Sequence, residues 1–249
     1  MRILISLLLA ITCFNAAAQM QQDSSVVIMA HWTKGDVVEY KLTESSYTVV
    51  GNDTTNCKTA ISKLAFKVQK RAKDSYEICL KINAGDQKDM KKKTKILFTT
   101  DIYGRIMDIT NLEKISAARK KMGDMSAARD YISKYLNIFS FHGTRMKLGE
   151  DYNGETEVNS PVPEFNKSLK ASTKVYIDTD YTDDKFAVAR MAVYTEGGME
   201  ISYQQYMSIQ VNLETGWPIV SFFDKFIETE DSQGICSTNV QSECIELVL

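Results

Sequence analysis

The sequence predicts an α+β fold that is mostly β: a curved antiparallel sheet or half-barrel with a two-helix insert packed on one face. Apolar and polar residues alternate in short runs rich in Val, Ile, Tyr, Phe and Thr, which is the period of strands. One stretch in the middle of the chain changes to the helical period. Turn signals with glycine separate the runs, and a hydrophobic content of 44% suffices for a core. We therefore expect one β-rich domain over residues 19–249.

Residues 1–18 have the three-part pattern of a cleavable signal peptide. Arg2 supplies a positive charge, residues 3–14 are almost unbroken apolar sequence, and three alanines precede Gln19. The apolar run is about half the roughly 20 residues that a membrane-spanning helix needs. We expect an exported mature chain without a transmembrane segment, in the periplasm or at the cell surface. Acylation of Cys13 would give a lipid-anchored form, which Thr12 immediately before it disfavours.

The charge of the chain argues against one class of partner. The formal net charge is −2 and becomes −3 when Arg2 is removed with the signal. Because a protein that binds phosphate backbones needs a basic surface, we do not expect a nucleic-acid partner.

The first strands precede residue 83, and a charged stretch follows them. Residues 86–95 contain five lysines and read as a solvated loop before an edge strand, where lysines discourage unwanted strand pairing. A hairpin comes next, formed by residues 95–100 and 106–109 around a turn that contains Gly104. The strands predicted before the charged stretch are 37–42, 47–50, 63–69 and 76–82.

A helical insert is predicted at residues 111–140. Its first helix follows Thr110 and ends at Gly123, and its second begins near Asp124 or Ser126. Each helix needs an apolar surface to cover, and one face of the sheet provides it. The apolar faces of the two helices consist of Leu112, Ile115 and Met122, and of Ala128, Ile132, Tyr135, Leu136 and Phe139.

The second half of the chain repeats the pattern of the first. Beyond Pro161 and Pro163, strands are predicted at 172–177, 186–195, 200–213 and 219–228. The Gly-Asp opening at 35–40 has a counterpart at 149–152, and the hairpin at 101–106 has one at 213–219. This similarity of the two halves is consistent with an internal duplication of strand meanders.

Four cysteines remain in the mature chain, and export makes disulfides the expected use of an even number. The simplest pairing joins Cys236 to Cys244 across a polar turn at 237–242, and Cys57 to Cys79 between two early strands. Four cysteines allow three pairings, and small buried thiols are the alternative for the early pair.

Neither a metal site nor a catalytic site is predicted. His31 and His142 lack nearby ligands, so no zinc site is expected. An acidic cluster could bind calcium through oxygen, although its composition is that of a solvated turn; it consists of Asp178, Asp180, Asp183 and Asp184. No nucleophile elbow, phosphate loop or His-Glu-x-x-His motif is present, and no cofactor is expected. A catalytic pair of carboxylates for glycoside hydrolysis remains an alternative, since its two residues can be far apart in the sequence.

Three segments resemble those of a family of exported, β-rich bacterial proteins. They are the Gly-Asp-x-x-x-Tyr opening at Gly35, the Asp-x-x-Gly turn at Asp101, and residues 149–152. In the last segment Glu150 departs from the family's Gly-Asp-x-aromatic pattern. That family is similar to the periplasmic lipoprotein carriers. The resemblance implies a half-barrel closed by helices over an apolar cavity.

We therefore expect a non-catalytic exported binding protein for an apolar or lipid-like ligand, held by Ile132, Leu136 and Phe139 between helices and sheet. The first alternative is a structural or protein-interaction component of the cell envelope. A hydrolase without a recognisable motif is the third hypothesis.

Overall fold

A computed structural model describes residues 25–84, 94–118, 125–159, 168–179, 185–195, 201–230 and 234–248. The first half of the chain contains β1 (Ser25–Val27), β2 (Val37–Val50), β3 (Asp53–Arg71), β4 (Ser75–Ala84), β5 (Thr94–Asp101) and β6 (Ile106–Ile109). The helical insert contains α1 (Leu112–Ala118), α2 (Met125–Leu136) and a 3-10 turn (Asn137–Phe139). The second half contains β7 (Arg145–Lys147), β8 (Asp151–Asn159), β9 (Ser168–Thr179), β10 (Phe186–Thr195), β11 (Ile201–Asn212), β12 (Pro218–Glu230) and β13 (Cys236–Leu247).

Eleven strands form one open sheet in the order β6-β5-β4-β3-β2-β13-β12-β11-β10-β9-β8. Every pair of neighbours is antiparallel, so the sheet consists of two meanders joined where β2 pairs with β13. The strands at its two edges are β6 and β8. The predicted fold class is confirmed: the protein is mostly β, with a curved open antiparallel sheet and two short helices.

The strand predictions differ from the structure mainly where polar residues dominate. β10 has the predicted bounds, whereas the predicted strands 37–42 and 47–50 are parts of the single strand β2. The turn predicted at 237–242 is wrong, because these residues lie inside β13 and pair with both β12 and β2.

The predicted helical stripe is buried as expected. Ala128, Ile132, Tyr135, Leu136 and Phe139 are all at most 4% exposed. They pack against the apolar side of the eleven-stranded sheet, which we call the core face. In the β2–β6 meander this face carries Tyr40, Leu42, Leu64, Phe66 and Leu80.

A second structural element packs on the half of the core face that the strands of the second half of the chain form. β1 pairs with β7 in a two-stranded ribbon, and its Val26 and the nearby Phe141 pack against Ile177 of β9 and Ile209 of β11. The helical insert and this ribbon therefore divide the core face between them.

Residues 29–32 run between the two hairpins that the sequence analysis matched with each other. The Ala30 N–H donates to the Tyr103 carbonyl at 3.0 Å, and the His31 N–H donates to the Thr215 carbonyl at 3.1 Å. Trp32 is fully buried and stacks on Trp217 at a ring distance of 4.5 Å. This segment thus ties the β5–β6 hairpin to the β11–β12 hairpin.

The two predicted disulfides are not formed, and the four cysteines are free thiols. Cys236 and Cys244 lie in the same extended strand, where eight residues span about 26 Å. Cys79 is opposite Lys67 of β3, which puts Cys57 ten residues further along that strand. Both separations far exceed the roughly 7 Å limit between the Cα atoms of a disulfide.

Several sequence predictions lie outside the described residues: the signal peptide with Cys13, the lysine stretch from 86 to 93, and Asp180, Asp183 and Asp184. Asp178 is the penultimate residue of β9, and its carboxylate accepts hydrogen bonds from the Tyr176 hydroxyl and the Thr179 N–H. Among the residues described, neither helix has the length and apolar character that crossing a bilayer requires.

Candidate functional site

The first candidate site is a cleft of about 440 Å³ between the edge strand β6 and the helical insert, which we call the insert cleft. Its lining mixes apolar and polar side chains in similar shares. The apolar lining consists of Ile106, Met107, Ile109, Leu136 and Phe139, and the polar lining of Arg105, Asp108, Arg129, Ser133, Asn137, Ser140, His142 and Thr144.

Two of the three predicted ligand-binding residues line this cleft. Leu136 and Phe139 form part of its wall, while Ile132 is fully buried beneath it. The space between helices and sheet is itself filled, because Phe139 packs edge-on against Phe66 and Trp32. A ligand beside Leu136 and Phe139 would therefore lie along the insert and outside the core.

Arg105 is a lining residue of the cleft that Asp101 holds in place. The guanidinium Nε lies 2.7 Å from the Asp101 carboxylate, which also accepts the N–H groups of Tyr103 and Arg105. The ion pair uses Nε, and the two terminal nitrogens of Arg105 take no part in it. The turn therefore fixes a cation whose outer nitrogens can donate to another group.

Arg129 supplies a second guanidinium from α2. Its side chain is exposed, and no carboxylate of the described residues forms an ion pair with it. Asp108 is the acidic residue that lines the cleft. With Asp101 counted, the charges around the cleft balance, and Arg129 is left as a guanidinium without an ion-pair partner among the described residues.

His142 lines the same cleft and is 1% exposed. Burial lowers the pKa of its imidazole to about 4, although the carbonyls of Gly216 and Phe139 act in the opposite direction. The ring is therefore neutral near pH 7, and Nε2 donates to the Gly216 carbonyl at 2.7 Å. Nδ1 is then an acceptor, and it has no hydrogen-bond partner among the described residues.

The second candidate site is a larger cavity of about 880 Å³, which we call the polar trough. In β2, Glu44 and Ser46 follow Leu42 at two-residue steps, so their side chains extend the core face beyond the helices. Ala60 of β3 and Glu243 of β13 are the register partners of Glu44. The core face thus changes from apolar to polar where the helices end.

One carboxylate of the trough is ion-paired, and its neighbour is not. Lys134 of α2 lies 2.6 Å from Glu44 and 4.7 Å from the Tyr135 ring centre. Burial raises the pKa of Glu243 to about 7, while Lys134 lowers it and Glu44 raises it. A carboxyl group with a raised pKa beside an ion-paired one is the nearest approach of the described residues to the acid–base pair of a hydrolase.

The raised pKa of Glu243 predicts a pH-dependent effect of Glu243→Gln. A folded-state pKa above the unfolded value of 4.5 stabilises the fold below pH 4.5, and this contribution is lost as the pH rises through 7. The variant side chain stays neutral. Relative to the unmodified protein, it should therefore become more stable between pH 5 and pH 8, by up to about 2 kcal/mol after solvent screening.

Urea unfolding at pH 5, 6, 7 and 8 measures this difference. The matched control is Glu246→Gln, because Glu246 lies on the opposite face of β13, is half exposed and is 3.5 Å from Lys41. An equal change of stability in both variants would refute the burial argument.

The sequence analysis missed the arginines of the insert cleft. Arg105 follows the turn that the hairpin pattern located, and Arg129 lies beside the apolar stripe of α2. His142 was considered there only as a metal ligand. No spacing in the sequence connects these three residues, since only the tertiary fold brings the hairpin and the insert together.

The fold and the two cavities define the class of this protein: an open, β-rich sheet protein with a lined cleft along a helical insert. No protein-family model matches the chain, and no curated protein matches it. Among solved structures it is similar to lipovitellin, in a structure of the lipid–protein interactions of that protein. The identity is 11%, the TM-score is 0.51, and the match covers 88% of this chain and 26% of the lipovitellin chain.

A second similar structure is OmpT, an outer membrane protein of Vibrio cholerae. The identity is 8% over 87% of this chain and all of the other, and the TM-score of 0.24 carries no argument. The chain spans about a quarter of the lipovitellin chain, so that similarity concerns the fold alone. The similarity to the periplasmic lipoprotein carriers stays a prediction.

Proposed function

We propose that the protein is an exported, non-catalytic binding protein that holds an amphipathic, lipid-like ligand in the insert cleft. The observation that supports this proposal is the mixed lining of the cleft, in which apolar side chains of β6 and the insert, Met107 among them, lie together with two arginines and several hydroxyl groups. Its volume of about 440 Å³ is within the range of roughly 300–1,000 Å³ for small-molecule sites. The fold shared with lipovitellin is compatible with a lipid-like ligand.

A variant that fills the cleft tests the proposal. Ser133→Trp places an indole ring among the lining residues, whereas Lys114→Trp places one on the exposed side of α1. Delipidated protein is titrated with N-phenyl-1-naphthylamine, a neutral probe that fluoresces in apolar surroundings. We expect saturable binding that Ser133→Trp weakens at least about tenfold, or about 1.4 kcal/mol, and that Lys114→Trp leaves unchanged.

Lack of saturable binding by the unmodified protein, or equal binding by the two tryptophan variants, would contradict the proposal. Native mass spectrometry of protein purified from its own envelope provides an independent measurement. A near-stoichiometric lipid that Ser133→Trp excludes is the expected result, and its absence from the unmodified protein would also count against the proposal.

A protein-interaction component of the envelope is the second candidate function. It is favoured by aromatic side chains on the sheet face opposite the core, where Tyr206 is 42% and Phe222 is 48% exposed. Failure of the cleft-filling experiment would favour this alternative over ligand binding.

A further inference from the structure

We infer that the insert cleft selects ligands with an acid group, so that its ligand is an anionic amphiphile whose carboxylate or phosphate is bound by Arg105 and Arg129. This inference rests on the proposed function and specifies the ligand class of the same cleft.

The charged groups of the insert cleft include two guanidinium groups that can donate to an acid group. Among the described residues the cleft is lined by the two guanidinium groups and by the carboxylate of Asp108, with the Asp101 carboxylate beside Arg105. Asp101 already neutralises part of Arg105, but only through Nε, so the terminal nitrogens keep their donor capacity. Guanidinium groups bind planar carboxylates and phosphates with paired hydrogen bonds, which makes an acid group the matching ligand.

The apolar lining of the cleft belongs to the same cavity as these guanidinium groups. Arg129 and Leu136 are both on α2, and Phe139 follows in the 3-10 turn, so the insert supplies both a cation and apolar side chains to the lining. An inorganic anion would leave the apolar lining that β6 adds, above all the exposed Met107, unused. An acid group joined to an alkyl chain satisfies both parts of the cleft.

The imidazole of His142 has an acceptor, Nδ1, without a hydrogen-bond partner among the described residues. Its Nε2 is bonded to Gly216, and its Cδ2 faces Gly104, where an added Cβ would lie only 2.7 Å away. The Nε2–Cδ2 edge of the ring therefore packs against the two hairpins. The opposite edge carries Nδ1, which is buried and has no hydrogen-bond partner among the described residues, and His142 is one of the residues that line the cleft.

A buried acceptor without a donor is a cost that a ligand donor can remove. An acid with a neighbouring hydroxyl could place the acid on the arginines and donate the hydroxyl proton to Nδ1. We therefore expect 2-hydroxydodecanoate to bind several-fold more tightly than dodecanoate, and equal affinities would overturn the assignment to His142.

The arginines are tested by calorimetry on the delipidated full chain, with probes below their critical micelle concentrations. The probes are dodecanoate, dodecyl phosphate and the neutral dodecyl maltoside. The variants are Arg129→Gln and Arg105→Gln, and the control is Arg190→Gln, whose exposed side chain lies on β10 away from the cleft. Arg129→Gln carries the test because its position on an exposed helix surface makes misfolding of the variant unexpected.

We expect Arg129→Gln and Arg105→Gln to weaken dodecanoate binding about tenfold each and Arg190→Gln to leave it unchanged. Tighter binding of dodecanoate than of dodecyl phosphate would identify a carboxylic acid as the ligand, and the reverse order would identify a phosphate. Equal affinity for acidic and neutral probes, or equal effects of Arg129→Gln and Arg190→Gln, would overturn the inference.

Failure of this inference and failure of the proposed function give different results. If N-phenyl-1-naphthylamine still binds and Ser133→Trp still blocks it, while the arginines have no effect, only the acid selectivity is wrong. If neither that probe nor the acids bind, the insert cleft is not a ligand site at all.

Discussion

Gly216→Ala is expected to destabilise the protein by at least about 2 kcal/mol more than Gly149→Ala, although both glycines have a φ of 72°. A Cβ at Gly216 would overlap the Met29 carbonyl oxygen and lie 2.9 Å from the Ala30 Cα. Nothing lies within 4 Å of a Cβ at Gly149. The shared positive φ costs about 1 to 3 kcal/mol in each variant, and only Gly216→Ala adds a clash with backbone atoms.

Urea denaturation of both variants at one pH measures this difference in the free energy of unfolding. Gly149→Ala is the matched control, because it carries the same conformational cost without the contact. Similar losses in the two variants would show that the hairpin can move away from residues 29–32, which would contradict a tight joint at this position.

Trp32→Ala is expected to cost about 3–5 kcal/mol, the usual range for removing a buried aromatic ring. Trp32 is fully buried, and its ring lies 4.5 Å from the Trp217 ring and 5.2 Å from the Tyr76 ring. The loss would leave a cavity where residues 29–32 meet both hairpins. Thermal and urea unfolding, followed by circular dichroism, would report the loss.

Trp32→Phe distinguishes ring packing from the polar atom of the indole. The Trp32 Nε1 is buried without a hydrogen-bond partner among the described residues, so removing it also removes a desolvation cost. We expect this variant to lose less than half of what Trp32→Ala loses. A larger loss for Trp32→Phe would mean that the Nε1 has a partner, and a negligible loss for Trp32→Ala would mean that the ring does not hold the segment.

The bounds and faces of an element could be predicted from the sequence wherever one face is buried and the other is exposed to solvent. Strand β10 alternates Ala187 and Ala189 inward, and its bounds could be predicted. The stripe of α2 was found for the same reason. In β13, Gln241 and Glu243 lie on the core face but line the polar trough. Alternation of hydrophobicity disappears there, and the strand resembles a polar turn.

The candidate site was only partly predictable. Leu136 and Phe139 were predicted to bind the ligand because the helices need an apolar surface to cover, and both residues line the insert cleft. The cationic rim depends on where the β5–β6 hairpin comes to lie against the insert, which is a property of the tertiary fold. The disulfide prediction failed for a related reason, since closeness in sequence says nothing about distance along an extended strand.

The pairing of β2 with β13 has a consequence for how the chain acquires its structure. β2 is made early and can pair at once with β3, but its other neighbour comes from residues 236–247. Until those residues emerge, one edge of β2 offers unpaired backbone groups to any other strand, an aggregation hazard. Contacts between such distant segments form slowly. The joint between the two meanders is therefore expected to form last, after synthesis of β13 and not progressively along the nascent chain.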